Sequence, residues 1–218
     1  MSTRDIKTII FDAEGVIVDT EALWDRSQEI LMARRGLRYD RSMLKPLMAG
    51  RSVEEGVEIM KKHYHLNESV RTLSAERKQL IGNLFEHDIE YINGFPEFLR
   101  LARQKNLSCG VATSMDPDLM VKVEKRLPIR ALFEGHVYHV ADAGNLSKPD
   151  PAVFLYAAGK LGSEPGQCLV IEDAPHGIAA AKNAGMSCWA LTTTFNADLL
   201  QDADGIFENY SQIAEQLF

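Results

Sequence analysis

One stretch constrains this chain more than any other: Thr8-Ile9-Ile10-Phe11-Asp12-Ala13-Glu14-Gly15-Val16-Ile17-Val18-Asp19-Thr20-Glu21. Its apolar start, Thr8 to Phe11, reads as a short buried strand. Two carboxylates follow at once, one residue apart, and Gly15 then permits a tight turn. On extended backbone, side chains two residues apart point the same way. Asp12 and Glu14 are therefore expected to face one site beyond the strand's carboxyl end, where open α/β sheets bind ligands. Two carboxylates aimed at one point are costly unless a cation lies between them. Metal binding, and a nucleophile working beside an acid/base partner, are the uses this pattern suggests.

The rest of the chain divides in character. After the strand, Glu21 to Leu37, Ser52 to His63 and Asn67 to Asp88 read as helices, with a break at Lys45 to Gly50 around Pro46. Ser52 is placed to cap the second of them, with Glu54 and Glu55 in its first turn. From Pro96 onward, helices alternate with apolar strands at Leu107 to Ala112, His136 to Val140, Cys168 to Ile171, Ser187 to Leu191 and, weakly, Gly205 to Phe207. Such alternation implies right-handed crossovers and a parallel sheet. The expected fold is α/β: a Rossmann-like parallel sheet with helices on both faces, residues 1–19 and 89–218, interrupted by an inserted helical cap, residues 20–88. The 218 residues and 45% hydrophobic content are enough for such a core plus an insert.

Chemistry-bearing groups recur after the strands. Thr113-Ser114 follows the second core strand, and Ser147-Lys148-Pro149-Asp150-Pro151 occupies a later loop. Glu172-Asp173 follows Leu169 to Ile171 and leads into Ala174-Pro175-His176-Gly177. Hydroxyls and loop N–H groups hold phosphate oxygens. Lys148 offers a point charge for a phosphate and for a nucleophilic carboxylate. Asp12, Asp173 and a backbone carbonyl are the hard oxygen ligands that Mg²⁺ prefers. Singly each signal is weak, since a Thr-Ser is commonly a cap and a Lys-Pro commonly a surface loop. Their order, each after a strand, suits phosphoryl transfer through an aspartyl-phosphate.

With those four motifs in view, the chain resembles the haloacid dehalogenase superfamily, in the branch with a helical cap inserted after the first motif. That branch includes sugar-phosphate phosphatases and β-phosphoglucomutase-like proteins. The resemblance implies a Mg²⁺-dependent phosphatase acting on a small phosphorylated metabolite, a sugar or polyol phosphate. It implies Asp12 as nucleophile, Glu14 as general acid/base with its backbone carbonyl on the metal, and Thr113, Ser114 and Lys148 on the phosphoryl group. Asp12, Asp173 and Glu172 beside it are implied as metal ligands.

One position departs from the pattern. The phosphatases of this family usually carry Asp where Glu14 stands, and Glu is longer by a methylene. The carboxyl is thereby displaced by roughly an ångström, a misplacement that can cost about a hundredfold in rate. Three readings stay open: Glu14 works on a rearranged backbone, it slows one half-reaction, or it marks an impaired member that only binds phosphorylated ligands. In the cap, Arg51 is placed to reach a polar or anionic substrate, or else is a solvated helix-start residue. Trp24 is placed to stack on a sugar or line the cleft, or else is cap core. The mutases of the branch carry a His where Trp24 falls and an Arg near Val53; neither is present here, which disfavours an alternative phosphosugar mutase.

A net charge of −7 argues against a broad nucleic-acid surface or an anionic-membrane surface. The three dispersed cysteines, and an opening Met-Ser-Thr-Arg-Asp without an apolar core, fit a cytoplasmic protein with reduced thiols. A monomer or weak homo-oligomer is expected.

Overall fold

The ring of Phe11 ends the first strand wedged edge-on against Phe95, Phe98 and Phe133, with centroids 5.7, 6.1 and 5.6 Å away. This cluster lies on one face of the sheet, because residues alternate sides along a strand. Ile9 and Phe11 enter it, whereas Ile10 joins Ala112, Val170 and Cys188 in a second apolar layer on the opposite face. The computed structural model describes residues 6–48 and 51–218. Met1 to Asp5, and Ala49-Gly50 in the expected cap loop, lie outside the described residues.

The elements run β1 (Thr8–Phe11), β2 (Val18–Asp19), α1 (Glu21–Ala33), α2 (Arg41–Met48), α3 (Val53–Tyr64), α4 (Val70–Asp88) and β3 (Glu90–Tyr91). Then follow α5 (Phe95–Gln104), β4 (Ser108–Thr113), α6 (Pro117–Glu124), α7 (Ile129–Leu132), β5 (Val137–His139) and α8 (Ala152–Lys160). The chain continues through β6 (Cys168–Glu172), α9 (Pro175–Asn183), β7 (Ser187–Leu191), β8 (Gly205–Phe207) and α10 (Tyr210–Leu217). The main sheet has the order β5-β4-β1-β6-β7-β8, and its neighbouring strands are parallel. Among the described residues no helix is long and apolar enough to cross a membrane.

β1 sits between β4 and β6, so the chain leaves it at the point where the winding reverses, the usual ligand crevice of such sheets. Phe11 pairs with Val111 on one side and with Ile171 on the other. That register brings the ends of three strands level: Asp12 after β1, Thr113 at the end of β4 and Glu172-Asp173 at the end of β6.

The insert is helical, as expected. Leu31, Met32, Leu44, Val57, Met60 and Leu73 form its own apolar centre. Ser52 closes a capping box with Glu55: its hydroxyl accepts the Glu55 N–H at 3.2 Å, and its own N–H donates to Glu55 Oε2 at 2.9 Å. Such a cap typically contributes about 1 kcal/mol. The expected break at Pro46 is instead the interior of α2. The helix is eight residues long, and Leu44 and Met48 bury the same edge four residues apart. That burial offsets the loss of one N–H donor at Pro46. The antiparallel pair β2–β3, Val18 with Tyr91 and Asp19 with Glu90, was not expected; it draws together the two points where the helical segment leaves and rejoins the sheet. α7 and α10 were likewise unexpected.

Candidate active site

The turn after β1 depends on Gly15. Its φ is +70°, and a Cβ there would lie 1.9 Å from Asp173 Oδ2. Any side chain would therefore displace that carboxylate, besides straining the backbone. The turn is fastened from behind: Thr193 Oγ1 donates to the Gly15 carbonyl at 2.5 Å, and the buried Tyr210 hydroxyl donates to the Val16 carbonyl at 2.8 Å.

Lys148 stands at the centre of the charged groups. Its Nζ donates to Asp12 Oδ1 at 2.6 Å and to Glu172 Oε1 at 2.7 Å. All three side chains are buried. The second oxygen of Glu172 accepts the main-chain N–H groups of Asp173 and Ala174, at 2.9 and 3.0 Å. A Cβ on Gly177 would lie 1.8 Å from Glu172 Oε1, so this glycine leaves the carboxylate its seat under the start of α9. Glu172 thus holds Lys148 in place.

The electrostatics follow from burial. Desolvation, working against Lys148, pushes Asp12 up to about 7, with Glu172 and Glu14 adding to the rise. Burial, then Glu172 and Asp12, push Asp173 well above the carboxylate range. Burial would lower the Lys148 ammonium, but Asp12 and Glu172 outweigh it and hold it above the usual lysine value. The carboxyl groups of Asp12, Glu14, Glu172 and Asp173 face a single lysine, so the site is short of positive charge. The donors fit a hard divalent cation: the Asp12 and Asp173 carboxylates and the Glu14 main-chain oxygen are all oxygens. Among the described residues no three acidic, His or Cys side chains form a ready cage. Mg²⁺ takes few protein ligands and completes its shell with water and phosphate oxygens.

Thr113 is buried, and its hydroxyl accepts the Met115 N–H at 3.0 Å, which leaves the hydroxyl proton available to an incoming oxygen. Ser114 is exposed beside it. Glu14 is partly buried. Trp24 Nε1 donates to its Oε1 at 2.7 Å, and Thr20 hydrogen-bonds the same side chain. Burial raises the Glu14 pKa against these bonds.

The structure brings together Asp12, Glu14, Trp24, Lys148, Glu172 and Asp173, with Thr113 at the neighbouring strand end. It does not bring Arg51 among them: this residue is exposed at the start of α3 and pairs with Glu55 at 3.7 Å. Trp24 is not an open stacking platform, since the Arg77 guanidinium lies 4.9 Å over its ring and Phe85 meets it edge-on at 5.9 Å. Sequence reasoning missed Arg77, Thr193, Thr194 and Tyr210. Thr194 hydrogen-bonds Asp173. The run Thr192-Thr193-Thr194 was visible after a predicted strand, but nothing local tied it to the carboxylates across the sheet.

Comparison with known proteins gives concordant findings. The family model for haloacid dehalogenase-like hydrolases matches residues 6–185. The chain is 32% identical over 209 residues to validoxylamine A 7'-phosphate phosphatase of Streptomyces hygroscopicus subsp. limoneus, covering 95% of each chain. It is 32% identical over 190 residues to hexitol phosphatase B of Escherichia coli (strain K12), covering 85% of this chain and 84% of the other. Among solved structures, a haloacid dehalogenase-like protein of Agrobacterium tumefaciens str. C58 superposes with a TM-score of 0.82 at 22% identity, covering 96% of both chains.

Proposed function

Because the chain belongs to the haloacid dehalogenase-like hydrolases and is an enzyme of their phosphatase type, we propose that it hydrolyses a small phosphate monoester, a sugar or polyol phosphate, through an aspartyl-phosphate on Asp12. The observation that carries this reading is the buried bridge from Lys148 to Asp12 and Glu172. The bridge holds one oxygen of Asp12 and fixes its orientation, which leaves the other for attack on phosphorus. Lys148 offsets negative charge on the nucleophile and on the phosphoryl oxygens, and Thr113 and Ser114 donate hydroxyl hydrogen bonds to the same oxygens. Glu14 gives its proton to the leaving alcohol oxygen as the P–O bond breaks. It then takes a proton from the water that attacks the phosphoryl group on Asp12, restoring the free carboxylate and releasing inorganic phosphate. The raised pKa of Glu14 suits the first of these roles.

Asp12, Asp173 and the Glu14 carbonyl would hold Mg²⁺, which supplies charge neutralisation between nucleophile and phosphate. Glu172, committed to Lys148 and two amides, acts in this reading as the anchor of the lysine rather than as a ligand. Residues 20–88 act as the cap over the site. The relatives named for validoxylamine A 7'-phosphate and for hexitol phosphates support a polyhydroxylated leaving group.

A panel of phosphate monoesters incubated with Mg²⁺, read as released phosphate, tests the proposal. Hexitol and sugar phosphates are expected to turn over with free polyol or sugar as product. Recovery of an isomerised phosphate would show a mutase, and no turnover on any member would overturn the reading.

A further inference from the structure

Trp24 belongs to α1, on the helical insert, yet it holds the side chain of Glu14 in the sheet's first loop. Its indole N–H donates to Glu14 Oε1 at 2.7 Å. Aspartate at this position, shorter by a methylene, would end about an ångström short of that donor. The extra length that sets this chain apart is therefore the length that reaches the insert.

The ring and the main chain of Trp24 are both braced. The Arg77 guanidinium lies 4.9 Å over its ring, and Phe85 meets it edge-on. Ser27 Oγ and Gln28 Nε2 both donate to the Trp24 carbonyl, at 2.7 and 3.0 Å. Arg77 is buried, donates from Nη1 to the Val53 carbonyl at 3.2 Å, and has no partner for Nε. Room for it depends on Gly56, where a Cβ would lie 2.5 Å from Nη1. A buried cation with few hydrogen bonds is costly unless a negative partner is close. Glu14 is near enough to act on it electrostatically.

We propose that Trp24 is a positioning residue: its indole N–H fixes the carboxyl of Glu14 for proton transfer, with Arg77 bracing the ring. This rests on the reading of Glu14 as acid/base and accounts for the tolerance of glutamate there. It also makes the insert part of the catalytic geometry, because the donor to Glu14 Oε1 is carried on α1, beside the hydrogen bond from Thr20.

A double-mutant cycle with Trp24→Phe and Glu14→Asp tests it. Phenylalanine keeps a ring for Arg77 and Phe85 but removes the donor. In the wild-type background Trp24→Phe is expected to lower kcat by about ten- to a hundredfold with KM within about twofold. In the Glu14→Asp background the same change is expected to alter kcat by less than about twofold, because the shorter carboxyl no longer meets the indole. Equal losses in both backgrounds, or a loss confined to KM, would overturn the proposal. The chain has two tryptophans, so the indole N–H resonance of Trp24 is assignable against Trp189. It is expected to move upfield and lose exchange protection in Glu14→Asp while Trp189 stays put; an unmoved Trp24 resonance would overturn the bond itself. A wild type that hydrolyses no monoester would overturn the function of the site instead, a failure seen without any variant.

Discussion

Lys148 and Asp12 stand 136 positions apart in sequence, and their side chains meet at 2.6 Å inside the protein. Both are buried, and Glu172 completes the group from the other side. Removing the cation from such a cluster leaves carboxylates buried without compensation. Lys148→Met is expected to lower unfolding free energy by about 3–5 kcal/mol, besides abolishing turnover. Urea denaturation of both proteins in the presence of a chelator measures this directly. An unchanged midpoint would mean that solvent already reaches the cluster.

The contact between Gly15 and Asp173 makes a second prediction. Gly15→Ala places a methyl where Asp173 Oδ2 now lies. The variant is expected to fold, with a stability loss of about 1–3 kcal/mol from the strained φ and the displaced carboxylate. Ligand linkage then separates site damage from general damage: Mg²⁺ at a hundred times its Kd stabilises a one-site protein by about 2.7 kcal/mol. Wild type is expected to show a magnesium-dependent rise in unfolding midpoint after chelator treatment. Gly15→Ala and Asp173→Asn are expected to lose it.

Acid weakens the insert at a different place. Arg35 donates to Glu76 at 2.7 Å and to Glu68 at 2.8 Å, while Arg34 reaches Glu76 at 2.8 Å, so α1 is bound to α4. The hydrogen bond from Arg35, against slight burial, holds Glu76 below the usual carboxylate value. A group whose pKa is depressed by folding stabilises above its unfolded pKa, near 4.3 for a glutamate, and loses that contribution as pH falls through the folded value. Glu76→Gln is thus expected to cost under about 1 kcal/mol at pH 7. The difference from wild type should shrink as pH falls below the unfolded glutamate value and vanish once pH passes below the lowered folded one. Urea titrations of the pair at several pH values check the sign and the window.

Lys78, on α4, pairs with Asp116 at 3.1 Å and with Glu54 at 3.2 Å, tying the insert to the N-terminus of α6. These side chains are partly exposed, so the stability effect of Lys78→Ala is expected to be small. A looser insert predicts instead a KM raised by about two- to fivefold with a modest effect on kcat. Steady-state kinetics at low and high salt measure it, and screening should shrink the difference.

What was legible in the sequence was what is local. β1 is found at the residues read as a strand, because a short apolar run followed closely by carboxylates and a turn-permitting glycine leaves few alternatives. The cap at Ser52 was readable for the same reason, since its partner lies three residues on; that Glu55 returns the bond was seen only in the structure. The motifs at Asp12, Thr113, Lys148 and Glu172-Asp173 each sit at or just after a strand end or in a loop, so chain order was enough to suggest their convergence. What stayed hidden depends on packing between distant segments. Nothing near Trp24 in sequence says that its indole meets Glu14, and nothing near Arg77 marks it as the one that packs over that ring. Thr193 and Tyr210 fasten the nucleophile loop and Thr194 holds Asp173, through contacts that no spacing encodes. Pro46 was misread as a break because its local cost was counted without the burial of Leu44 and Met48.

The most direct test of the account is the rate of phosphate release by Asp12→Asn with saturating Mg²⁺ and a monoester that the wild type turns over. Asparagine keeps the shape of the side chain and removes the nucleophile. Loss of at least about a thousandfold in kcat, in a protein that still unfolds cooperatively, is the predicted result. Full magnesium-dependent hydrolysis by Asp12→Asn would contradict it.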